Sequence, residues 1–196
     1  NYIQASKLGQ MMLIIPSILS STLFPLISSV KRKDSNAGIV FITRILLWIN
    51  ILISMVIMML GYWGFPILFG ASFVEMYSIF LLIIPGLLCL TANYPLTALN
   101  SGKDLIKRNI LGSLLALLVI GSGDFFILPH LGVRSAAVIS SIGYLSYYCY
   151  ILYFYRKDHT SRLIDFFVIK KADIFWLLSR ISRIIEERKK IPLKVS

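Results

Sequence analysis

MYSIFLLIIPGLLCLTANYPLTAL, Met76 to Leu99, is the stretch that decides the fold class. Its 24 residues carry no charge. As a helix it reaches roughly 36 Å, enough to cross a bilayer with some tilt. Pro85, Gly86 and Pro95 interrupt it. Soluble core helices rarely accept such residues, whereas membrane helices do, because neighbouring helices and hydroxyl side chains take over the freed backbone groups. Asn93, Thr97 and Asn100 are spaced i, i+4, i+7 and so share one stripe, with Gly86 two turns back. Inside hydrocarbon a polar stripe faces protein or a water-filled path. Hydrogen bonding between packed helices and a role in transport both account for it at this stage.

The whole chain has the same character. Of 196 residues, 57% are hydrophobic and 15% are charged, against about a quarter charged in a soluble domain. This composition predicts an all-α integral membrane protein. The net charge of +11 sits in loops and the tail, so an anionic lipid surface, rather than nucleic acid, is the partner it implies. Cys89 and Cys149 lie within apolar runs, where cysteine behaves as a small hydrophobe. The sequence starts at Asn1 without a signal-peptide charge pattern, which suggests the C-terminal part of a longer protein.

Five apolar runs predict five transmembrane helices, at about 8–30, 39–60, 76–99, 110–128 and 136–155. The first contains Pro16 and Pro25, with Ser17 and Ser21 on a mildly polar face. The second contains Arg44, about a turn and a half from the basic loop Lys31 to Gly38. It is read either as snorkelling to the headgroups or as facing an internal cavity. Tyr62, Trp63 and Phe65 follow as an expected interfacial aromatic belt. The fourth run carries Asp124 near its far end, a candidate for interface or cation contact. In the fifth, Ala136, Ser140, Gly143 and Tyr147 form a small-residue seam. Residues 156–196 read as a basic tail, with an amphipathic helix at about 174–190 for the membrane surface or the protein's own loops.

With five spans, the loops after the first and third and the tail share a side. They hold Lys31, Arg32 and Lys33, then Lys103, Lys107 and Arg108, then eleven basic residues in the tail. The other side holds Lys7 and Arg134. The positive-inside rule therefore predicts a cytoplasmic C-terminus and an outside Asn1.

No GxxxxGK[ST], HExxH, CxxC or GxSxG motif occurs, and His130 and His159 lack metal-binding spacing. No span holds a pair of carboxylates for acid–base work. The sequence thus implies no enzyme, no metal and no cofactor. Proline-broken, polar-striped helices are the elements from which transporters build a path and a hinge.

Four stretches resemble the C-terminal half of bacterial polysaccharide (O-antigen type) flippases of the MATE-like superfamily: Leu13 to Ser29, Pro66 to Ile83, Leu96 to Asn109 and Leu131 to Tyr144. The resemblance implies the last five helices of an incomplete second lobe, whose first lobe lies in a missing N-terminal part. It implies a multi-pass protein of the cytoplasmic membrane that moves an undecaprenyl-pyrophosphate-linked oligosaccharide to the outer leaflet by alternating access. On that reading Arg44 attracts the anionic group, and Asn93, Thr97 and Asn100 face sugar, with Ser17 and Ser21 behind them. Pro16, Pro25, Pro85 and Pro95 are the bend points. A drug/cation antiporter of the same superfamily and a non-transporting scaffold of a polysaccharide-synthesis complex are the rivals.

Overall fold

The computed structural model describes residues 2–29, 35–70 and 74–159. The described residues form seven helices and no strand: α1 (Tyr2–Met12), α2 (Ile14–Ser29), α3 (Ser35–Phe69), α4 (Val74–Gly102), α5 (Ile106–Phe126), α6 (Leu128–Leu131) and α7 (Val133–Asp158). Four of them, α3, α4, α5 and α7, are long and apolar enough to cross a membrane. The expected surface helix at 174–190 lies outside the described residues.

Of the five expected spans, four are continuous helices among the described residues. The run at 8–30 is split into helices of 11 and 16 residues, each shorter than the roughly 20 residues a perpendicular span needs. The cause is local. Pro16 has no N–H to give to the carbonyl of Met12, and its ring crowds that carbonyl. The chain tightens ahead of it: the Leu13 amide bonds the Gln10 carbonyl at 3.0 Å, and regular pairing resumes from Ser17 to Leu13 at 2.9 Å. Pro25 lies within α2, while α4 continues as helix through Pro85 and Pro95.

The other boundaries also shift. α3 has 35 residues, about 52 Å of helix, and runs through the expected aromatic belt. Tyr62, Trp63 and Phe65 are thus helical, and Phe65 is buried edge-on against Phe80 at 5.8 Å. Helical hydrogen bonding satisfies the backbone here without a loop, so aromatic clustering alone did not end the helix.

α4 sits at the centre. Tyr77 donates to the Met58 carbonyl at 3.1 Å, and Ile39 packs in one cluster with Leu99, so α3 and α4 are antiparallel. α7 runs parallel to α4: the Ser141 hydroxyl donates to the Leu82 carbonyl at 2.7 Å, and Tyr155 lies in the same cluster as Leu99. A Cβ on Gly86 would stand 2.6 Å from Ser141 Cα, so only glycine permits this crossing. α5 runs antiparallel to α7, and Gly143 in the predicted small-residue seam lies directly against Ile120. α1 and α2 lie alongside α4 in its direction, through Gly9 against Leu87 and Ser20 against Tyr94. The directions alternate as the charge pattern requires. The ends of α2, α4 and α7 share one end of the bundle, with Lys103, Lys107, Arg108, Arg156 and Lys157 there.

Candidate functional site

α4 and α5 are joined by a turn whose left-handed residue is Asp104, with φ +61°, rather than Gly102. A short polar side chain tolerates that conformation. The turn closes through the Leu105 amide on the Asn100 carbonyl at 2.8 Å. It folds Asn109, at the start of α5, back onto the last two turns of α4. Asn109 Nδ2 donates to the Thr97 carbonyl at 2.9 Å and to Ser101 Oγ at 3.0 Å. Its Oδ1 accepts from Asn100 Nδ2 at 3.0 Å. Asn100 is therefore occupied in fastening α4 to α5.

Beside this clasp lies a groove of about 340 Å³, walled by Ser17, Ser20 and Ser21 of α2, Tyr94 and Thr97 of α4, and Asn109 of α5. That size falls in the range of roughly 300–1,000 Å³ common for ligand sites. A smaller cavity of about 150 Å³ adjoins it, sharing Tyr94 and Thr97 and adding Asn93, Leu90 and Tyr147. The fold thus places Ser17, Ser21 and Thr97 of the six residues expected from the sequence on the groove, and Asn93 with Thr97 on the smaller cavity, while Asn100 bonds the Asn109 side chain.

The hydrogen bonding distinguishes two uses of polar residues. Ser17, Ser21 and Thr97 each donate to a carbonyl of their own helix, of Ile14 at 2.8 Å, Ile18 at 2.8 Å and Tyr94 at 2.9 Å. None of these three bonds joins helices. Ser20 does join them, through the Tyr94 carbonyl at 2.8 Å. Asn93 differs again: it is 2% exposed, and neither its Oδ1 nor its Nδ2 has a hydrogen-bond partner. A buried amide in that condition costs about 1–3 kcal/mol, and such a group calls for an explanation beyond packing.

Arg44 is elsewhere. It is 3% exposed on α3, which rules out a side chain lying along the lipid face. Among the described residues no α3 side chain walls either cavity. α3 also buries Asn50 and Ser54, whose Oδ1 and Oγ lack partners. Their i, i+4 spacing places both on one face of α3. Asp124, half-buried on α5, has an Oδ1 without a partner.

No charged side chain walls the groove among the described residues. Two of the nearest basic residues in sequence are drawn to the end of α7. Arg108 pairs with Asp158 and stands 4.8 Å from the centre of the Phe154 ring. Lys103 Nζ lies 3.1 Å from His159 Nε2, and His159 Nδ1 lies 3.0 Å from the Tyr155 carbonyl. A neutral ring protonated at Nδ1 satisfies both contacts. Burial depresses the His159 pKa below its ordinary value, and the Lys103 charge acts in the same direction. The described residues contain no group of three or more His, Cys, Asp or Glu arranged to hold a metal. Compared with known proteins, the chain matches no family model, no curated protein and no solved structure.

Proposed function

We propose that this chain is the second-lobe part of a flippase for a prenyl-pyrophosphate-linked oligosaccharide, acting by alternating access in the cytoplasmic membrane. On this reading α1 and α2 together form one broken span, giving five with α3, α4, α5 and α7, and the C-terminus is cytoplasmic. Broken helices placed where they border a polar cavity are the form transporters use. The sugar passes along the groove between α2, α4 and α5.

The observation that carries the reading is the unpartnered Asn93 amide together with the hydroxyls of Ser17, Ser21 and Thr97, which do not bond across helices. If the polar stripe served helix packing, its groups would pair between helices. Most of this wall does not, and Ser17, Ser21 and Thr97 line a groove. The Arg44 guanidinium, being buried on α3, acts in this proposal as an internal charge of the lobe rather than as part of the groove wall.

The test is export of lipid-linked sugar by the full-length protein carrying Ser21→Leu together with Thr97→Val. Export is expected to fall about tenfold, equivalent to roughly 1.4 kcal/mol, with the amount of protein in the membrane unchanged. Normal export at normal abundance refutes the reading. The partnerless Asp124 Oδ1 favours the antiporter alternative. Under that alternative Asp124→Asn abolishes ion-coupled transport, whereas under the flippase reading export survives it.

A further inference from the structure

The groove wall has a one-sided hydrogen-bonding character. A hydroxyl offers one donor and two acceptor lone pairs. The protons of Ser17, Ser20, Ser21 and Thr97 all point to backbone carbonyls, at 2.8 to 2.9 Å. Their remaining capacity toward the cavity is acceptance. Both amide hydrogens of Asn109 are committed, to Thr97 and Ser101. Among the described wall residues, the donors left for a ligand are the Ser101 hydroxyl, which only accepts from Asn109, and the phenols of Tyr94 and Tyr147, with the Asn93 amide buried behind them.

Such a surface discriminates by charge. An anionic group needs cations or several N–H donors to offset its lost hydration, and this wall offers a row of acceptors instead. Of the basic residues nearest in sequence, Arg108 and Lys103 face Asp158 and His159 at the end of α7, and Lys107 is exposed and does not wall the groove. A cation finds acceptors but no carboxylate, so its desolvation is only partly offset. A neutral polyol is complementary: its hydroxyls donate to the serine and threonine oxygens, and its C–H faces lie against the Tyr94 and Tyr147 rings. We infer that the groove binds the uncharged, hydroxyl-donating part of a glycan and selects against acidic sugars, leaving the pyrophosphate to another part of the protein. This inference rests on the flippase reading above.

The experiment uses the full-length protein in liposomes with two probes, prenyl-pyrophosphate-linked trisaccharides that differ only in one hexose or hexuronic acid residue. The neutral probe is expected to cross about ten times faster than the acidic one. Ser21→Lys, at an exposed position where lysine fits without repacking, is expected to bring the ratio close to one by raising transport of the acidic probe. Equal rates for the two probes in the unaltered protein overturn the inference while leaving the flippase reading standing. A neutral preference unchanged by Ser21→Lys also overturns it, because selection then lies elsewhere. Transport of neither probe overturns the flippase reading, and the inference with it.

Discussion

Asn93→Leu separates a functional amide from a packing amide, because the two predict stability changes of opposite sign. Asn93 is 2% exposed, and both polar atoms of its side chain lack partners. Leucine has similar bulk, so the substitution leaves little cavity or strain. It removes an unpaired buried polar group whose cost is about 1–3 kcal/mol. For a chain of this size each kcal/mol moves the unfolding midpoint by about 2–4 °C, so the variant is expected to unfold roughly 2–12 °C higher. Sugar export is expected to fall at the same time, since Asn93 lines the smaller cavity. The assay is thermal unfolding of the purified full-length protein in detergent, followed by tryptophan fluorescence, alongside export at matched protein abundance. A midpoint that drops by several degrees would refute the reasoning. It would mean that Asn93 holds a hydrogen bond that the fold depends on, and the stripe would be packing glue after all.

Three further outcomes follow from other parts of the structure. Gly86→Val places a branched side chain where a Cβ already comes within 2.6 Å of Ser141 Cα. It should cost about 1–3 kcal/mol, read as a lower unfolding midpoint, and should break the Ser141 bond to the Leu82 carbonyl. Pro16→Ala restores an N–H for the Met12 carbonyl and should heal the break at Leu13. Amides 13–17 should then exchange more slowly with solvent, and unchanged exchange would place the cause of the break elsewhere. His159 is held below its ordinary value of 6.5 by burial, so the folded form resists protonation. The stability it contributes is present above about pH 6.5 and is lost as pH falls through the lowered value. Protection of the Asn100 to Leu105 amides, taken relative to their intrinsic exchange rates at each pH, should fall on acidification by release of Lys103 from the ring, and His159→Gln should remove that loss of protection.

Much of this architecture is legible in one dimension. Uncharged runs such as Met76 to Leu99 mark the spans, since hydrocarbon admits almost nothing else, and four of the five predicted runs are continuous helices. Basic loops predict the alternation of helix direction, which the cross-helix contacts reproduce among the described residues. The small-residue seam around Gly143 is legible too, because close helix approach demands missing side-chain volume. Helical period places Asn93 and Thr97 on one stripe, and Ser17 and Ser21 on another.

Tertiary structure alone decided where those stripes point. Period determines which residues share a face of one helix, but not which neighbour that face meets. Only packing shows that the α2 and α4 stripes adjoin one cavity while Arg44 is buried on α3. Asn109 enters the site because Asp104 adopts a left-handed conformation and folds α5 back against α4, a long-range consequence of one dihedral angle. The break at Leu13 and the extension of α3 through Tyr62 and Trp63 depended on backbone hydrogen bonds that composition does not record. Hydrophobicity chose the segments that leave water, and the geometry of their contacts chose which polar groups were left facing a cavity without a partner.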